Sequence, residues 1–113
     1  MGLNQVAADA AGYMNYLSRR QEAVASNIAN ADTPGYRTRD IVPPSSFGAA
    51  LEQAQFSSIE VPGLQVRNDG NNVSIDRESR LLAENDLKFN LASQLVRSEL
   101  RNVRSAIEEG RSA

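Results

Sequence analysis

Val24-Ala25-Ser26-Asn27-Ile28-Ala29-Asn30-Ala31-Asp32-Thr33-Pro34-Gly35-Tyr36 is where this chain leaves a helix and turns. Val24 and Ile28 are four residues apart and share one helical face. Thr33 precedes a proline and is pushed out of the α region. Pro34 and Gly35 supply the fixed φ and the positive φ that the two central positions of a type II turn require. Asn27, Asn30 and Asp32 fall where helical backbone groups lose their partners and short polar side chains can replace them. On physical grounds alone the stretch is a helix end followed by a turn.

Upstream of it, the apolar positions follow a heptad. One column is Leu3, Ala10, Leu17, Val24; the other is Ala7, Met14, Gln21, Ile28, with Gln21 the polar exception. The stripe is narrow and rich in alanine, the pattern of a helix lying along a partner helix. Far downstream a second helix is predicted from Ser74, whose hydroxyl caps it, with Asp76 and Glu78 placed against the N-terminal dipole. Ile75, Leu82, Phe89, Val96 and Val103 recur every seven residues, and Ala92, Leu100 and Ile107 fill the stripe. Leu87, Leu91 and Leu95 form a second stripe about 100° away, which predicts a helix sandwiched between neighbours. Asp76, Arg80, Glu84 and Lys88 alternate in sign at i, i+4 and mark a solvated face. Gly110 reads as the C-terminal stop.

Between the helices the chain reads as extended. Ile41-Val42 predicts a short strand ended by Pro43-Pro44, and Ser45 or Ser46 caps a short helix over residues 47–54 that Gly48 weakens. Ile59 and Val61, then Leu64 and Val66, alternate around Pro62-Gly63 as two strands and a turn, with a further turn at Asn68-Asp69-Gly70-Asn71. The expected fold is mainly α. N- and C-terminal helices pack as an antiparallel coiled-coil-like bundle around a short extended or β-hairpin middle. Residues 1–36 hold the first helix and turn, 37–73 the middle and 74–113 the second helix, as one structural domain with both termini together.

Composition bounds the function. The chain has 113 residues, no cysteine, no histidine and a net charge of −2. Leu, Ile, Val and Phe make up under a quarter of it and aromatics only 5%, so partner chains are expected to complete a thin core. Thiolate metal sites and disulfides are excluded, and the commonest general base is missing. Paired acids at Glu108-Glu109, or at Glu84 with Asp86, do not converge on a helix, Lys88 is the only lysine, and the glycines form no phosphate loop. No catalytic, cofactor-binding or metal residue is assigned, and no cofactor is expected. No basic, apolar leader opens the chain and no run approaches the ~20 apolar residues of a membrane span, so sequence alone places it in the cytosol. Arg97, Arg101, Arg104 and Arg111 share a helical stripe beside the Val96-Leu100-Val103-Ile107 seam, where coiled coils carry partner-choosing charges. Glu99, Glu108 and Glu109 dilute any field for phosphate, so nucleic acid is not the expected partner.

Asn27-Ile28-Ala29-Asn30-Ala31-Asp32-Thr33-Pro34-Gly35-Tyr36 resembles the N-terminal signature of bacterial flagellar axial proteins. Asp69-Gly70-Asn71-Asn72-Val73, with Asp76-Arg77-Glu78 and Leu82-Ala83-Glu84-Asn85, resembles the start of the C-terminal helix in the flagellar basal-body rod protein family, proximal rod subunits in particular. Together with the flanking helices the resemblance covers about two thirds of the chain. The chain departs from it in being short between Arg37 and Gln65 and in carrying Ser79 where a larger apolar residue is expected. The resemblance implies a structural subunit, not an enzyme, that self-assembles helically through its terminal helices to transmit torque. It implies export without a cleaved signal through the type III export apparatus into the periplasmic rod of the basal body. It also implies contacts with further copies, with other rod subunits and with the basal-body adaptor beneath. The expected assembly seam is Leu3, Ala10, Met14, Leu17, Val24, Ile28, Leu82, Phe89, Val96, Leu100, Val103 and Ile107. Asn27, Asn30, Thr33, Pro34, Gly35 and Tyr36 carry the motif that aims the middle segment away from the bundle, and Arg97, Arg101 and Arg104 supply inter-subunit charge. The rival reading is a soluble helical adaptor or export chaperone that binds one partner helix in a closed complex.

Overall fold

The heptads and caps produce two long helices. The computed structural model describes residues 3–47 and 56–112. Helix α1 spans Leu3–Ala29 and helix α2 spans Ile75–Ser112. Between them β1 (Arg39–Ile41) and β2 (Ser58–Glu60) pair antiparallel, with Asp40 opposite Ile59. The Ser74 hydroxyl accepts the Arg77 N–H at 3.2 Å and its carbonyl accepts the Glu78 N–H, which fixes the start of α2 where the cap was read.

The two helices run antiparallel. Gln21 faces Leu82 and Asn85, Leu17 faces Phe89, and Ala10 lies beside Ala92, so α1 descends as α2 ascends. The polar break in the heptad is used: Gln21 Nε2 donates to the Leu82 carbonyl at 3.2 Å and Gln21 Oε1 accepts from Asn85 Nδ2 at 3.1 Å. Leu17, Val24, Ala10, Leu81 and Ala92 are buried in this seam. Seven residues back from Ala10 bring Leu3 opposite roughly residue 99, so the last dozen or so residues of α2, ~20 Å, project beyond α1. The molecule is accordingly a rod of 72 × 22 × 19 Å.

Four expectations are corrected. The hairpin pairs residues 39–41 with residues 58–60, and Leu64 to Val66 form no strand; the Pro62-Gly63 turn, with Gly63 at φ +79°, ends β2 instead of joining two strands. Helix α2 continues through Gly110 to Ser112, because Gly110 keeps an ordinary φ and a glycine stops a helix only when it turns left-handed. The turn after α1 sends the middle segment back along α1, not away from it: Arg39 meets Asn27, Asp40 meets Arg20 and Phe47 crosses at Gly12. Finally, α1 buries a second face. Tyr13 and Tyr16 pack with Phe47 and Phe56 at ring separations of 5.0 to 6.4 Å, so most of the few aromatics are spent on clamping this returning segment. The short helix expected over residues 47–54 falls, beyond Phe47, outside the described residues.

Candidate assembly surface and the joint that sets it

The turn motif builds a joint from side-chain amides. Thr33 O accepts the Tyr36 N–H at 3.2 Å and Gly35 sits at φ +75°, the geometry read from Thr33-Pro34-Gly35-Tyr36. Asn27, 1% exposed, acts as an artificial strand edge: its Nδ2 donates to the Arg39 carbonyl at 2.8 Å while its Oδ1 accepts the Arg39 N–H at 3.1 Å. The same Oδ1 accepts the Tyr36 hydroxyl at 3.1 Å. Asn30 turns back to the Ser26 carbonyl and accepts the Thr33 hydroxyl. Asn30 therefore serves a carbonyl of the last helical turn, while Asn27 ties the backbone of β1 to α1.

The second matched stretch docks onto the first. Asn71, buried, donates to the carbonyls of Asn30 and Thr33, both at 2.9 Å, and the Gly35 N–H donates to the Asp69 carbonyl at 2.8 Å. Asn72 Oδ1 accepts the Thr38 N–H at 2.6 Å, and the Thr38 hydroxyl donates to the Asn72 carbonyl. Gly70, at φ +85°, lies against Gly35, where a Cβ would come within 3.3 Å of the Gly35 Cα. Arg67 bridges the pair, donating to the carbonyls of Ala31 and Val73. Two signatures 40 residues apart in sequence thus form one polar knot that fixes how α2 leaves the end of α1. Asn71, Asn72 and Arg67 were not singled out individually from sequence; their partners lie too far along the chain for any local spacing to reveal.

An ionic clamp sits beside the knot. Arg20 of α1 holds Asp40 of β1 through two bonds of 2.9 Å, and Arg77 of α2 reaches the same carboxylate at 3.5 Å. Burial alone would raise the Asp40 pKa. Hydrogen bonds from Arg20 and the Ile41 N–H, with the charges of Arg20 and Arg77, outweigh it and hold Asp40 below its ordinary value. The bond to Asp40 is also the main cause that raises Arg20. Glu78, fully buried, accepts from Arg77 at 2.6 Å. No local signal in the sequence joins these four residues, which come from three elements.

The expected seam divides into covered and uncovered parts. Ala10, Leu17 and Val24 are buried, and Met14, Ile28, Phe89, Val96 and Val103 are half-buried. Leu82, Leu100 and Ile107 are 40%, 61% and 53% exposed; the side chain of Leu3 lies outside the description. Leu87, Leu91 and Leu95 of the second stripe are also exposed. Leu91 and Leu95 line a groove of about 320 Å³ with Ala10, Tyr13, Lys88 and Ala92. Arg97, Arg101 and Arg104 are exposed on the distal part of α2 and, among the described residues, form no ion pair. Among the described residues no group of acids converges as a metal site, and no helix is long and apolar enough to cross a membrane. What the arrangement offers is contact: a braced helix pair with unused apolar surface.

Comparison with known proteins bears on what that contact is for. Residues 10–37, which hold the turn motif, match the family described as flagella basal body rod protein. The flagellar basal body rod protein FlgB of Yersinia enterocolitica is 30% identical over 122 aligned residues, which take in 86% of this chain and 89% of the relative. FlgB of Salmonella typhimurium is 30% identical over 126, covering 86% and 88%, and FlgB of Aeromonas hydrophila is 32% identical over 114, covering 80% and 83%. All three alignments are longer than the 113 residues present here, so the relatives carry residues that this chain lacks.

Proposed function

The chain belongs to the FlgB family of flagellar basal body rod proteins, structural subunits of the basal body, and from that premise we propose that it self-assembles helically through its terminal helices to transmit torque. The observation that carries this is the surface of α2. Seven of the nine large hydrophobic side chains left exposed, among the described residues, lie on that one helix: Ile75, Leu82, Leu87, Leu91, Leu95, Leu100 and Ile107. A monomeric domain seldom leaves so much of one helix's apolar surface to water, whereas a subunit completed by its neighbours must. The seam read from sequence then has two duties. Ala10, Leu17 and Val24 hold the subunit together, while Leu82, Leu100 and Ile107 meet other copies. Its neighbours would be further copies, other rod subunits and the basal-body adaptor, reached by export without a cleaved signal through the type III apparatus.

The test is growth with concentration. Purified protein should pass a critical concentration and sediment as open assemblies of increasing length, visible by electron microscopy as rods or tubes. A complex that stops at fixed stoichiometry with one partner helix would identify an adaptor instead.

A further inference from the structure

A second run of side-chain amides ties α1 to α2, and it ends on an oxygen with no partner. The Leu82 carbonyl can only accept, so the Gln21 amide must turn its Nε2 toward it, at 3.2 Å. Gln21 Oε1 then faces Asn85, which must answer with Nδ2, at 3.1 Å. One backbone carbonyl thus orients both amides. What is left over is Asn85 Oδ1, an atom without a hydrogen-bond partner on a side chain only 1% exposed. A buried acceptor in that state costs stability until something donates to it.

Asn85 lines a cavity of about 100 Å³ between the helices, together with Leu17, Ser18, Gln21, Asp86 and Phe89. A water molecule takes ~30 Å³ in the liquid, so about three water-sized groups fit. The lining is one-sided in its chemistry. Asp86 brings a carboxylate that makes no ion pair among the described residues, Ser18 a hydroxyl and Phe89 an aromatic ring. The Gln21 donor is committed to Leu82, and no basic side chain is among the lining residues. Lys88, the chain's only lysine, lies two residues on from Asp86, about 160° round the helix, and walls the groove on the opposite flank.

We propose that this cavity binds a primary ammonium group. Its N–H groups donate to Asn85 Oδ1 and to the Asp86 carboxylate, and its charge lies beside the Phe89 ring, over a floor made by Leu17. Water would satisfy Asn85 but would make no use of the carboxylate and the ring together. A divalent metal needs more oxygen ligands than one carboxylate provides, and among the described residues no group of acids converges here. The same head group is carried by a free alkylamine and by a lysine side chain of another polypeptide.

Amide-detected NMR on the dilute full-length chain tests the site, with methylammonium as the probe. Its two non-hydrogen atoms limit its affinity to the millimolar range. The Asn85 side-chain amide and the backbone amides of Ser18, Asp86 and Phe89 should shift along one saturable curve. Potassium at equal ionic strength, and tetramethylammonium, which has the charge but no N–H, should leave them in place. Asp86→Asn, at an exposed position that keeps the fold, should weaken binding about tenfold by removing the charge-assisted bond. Asn85→Leu should abolish it. The peptide acetyl-Gly-Lys-Gly-amide identifies the source: binding by both probes points to the head group alone, and binding by the peptide only points to a lysine side chain. Equal shifts with potassium or tetramethylammonium would overturn the site, as would a methylammonium affinity unchanged in Asp86→Asn. So would the absence of a saturable shift with either amine up to a few hundred millimolar.

Discussion

At the scale of single residues, Asn27 does more than any apolar side chain of its size could. Its amide replaces two backbone partners for Arg39 and one for the Tyr36 hydroxyl, in a position 1% exposed. Asn27→Ala leaves those groups unmatched, at about 1–3 kcal/mol for each that stays buried. We expect a loss of about 2–4 kcal/mol in chemical denaturation, with Asn27→Asp nearly as damaging because a carboxylate cannot donate to the Arg39 carbonyl. A loss under about 0.5 kcal/mol would mean that the returning segment is held elsewhere. Asp40 gives the pH dependence. Its folded pKa lies below the unfolded one, so its stabilisation is complete above the ordinary Asp value of about 3.9 and is lost as pH falls from there through the folded value. Asp40→Asn should therefore lower stability at pH 7 and flatten the acid limb below about pH 4. An acid limb as steep as the parent's would assign that limb to other carboxylates.

At the scale of elements, the helices and the short strands at Ile41 and Ile59 were legible and the pairing of those strands was not, for a physical reason. A heptad such as Phe89, Val96, Val103 repeats its signal over many turns, and Ser74 marks its own helix start, so the pairing of α1 with α2 follows from local pattern. The strands are three residues each, and only tertiary contacts select residues 58–60 as the partner of Arg39–Ile41 over the equally alternating Leu64 and Val66. The amide knot was legible in half. Asn27 and Asn30 announce themselves at a helix end, whereas Asn71 and Asn72 bond to groups 34 to 41 residues away. Gly12 shows how an element can hide its purpose in a missing side chain. A Cβ there would lie 1.5 Å from the Phe47 carbonyl oxygen, so the glycine is what lets the returning segment cross α1 against its backbone. Gly12→Ala should improve helix propensity yet destabilise the protein by about 1–3 kcal/mol through overpacking. Near-ultraviolet circular dichroism should report loosening of Tyr13 and Tyr16. A stabilised Gly12→Ala variant would mean that the crossing lies farther out.

At the scale of the whole molecule, stability should be graded along the rod. The end that holds the knot, the clamp and the doubly packed part of α1 buries polar and apolar groups from both helices and from the segments that join them to the hairpin, including Asn27, Thr38, Asn71, Asn72, Leu17 and Val24. Toward the other end α1 runs out, and α2 continues with nearly every side chain past Leu100 exposed. An isolated helix of a dozen residues is marginal in water even with good propensities. Local opening should therefore cost little there and approach the global unfolding energy around residues 16–27 and 71–92. Amide hydrogen exchange on dilute monomer should show that gradient, with residues 100–112 exchanging near the rate of an unstructured peptide. Truncation after Leu100 should leave the melting of the rest nearly unchanged, because the deleted turns touch little of it, but should abolish assembly. If the overhang is an interface, assembly must supply the packing that the monomer lacks. Protection of residues 100–112 should then rise by two orders of magnitude or more in the assembled form, while the knot end changes little. An overhang already protected in a verified monomer would show that it is stable without a neighbour, and its bare stripe would then need a different explanation.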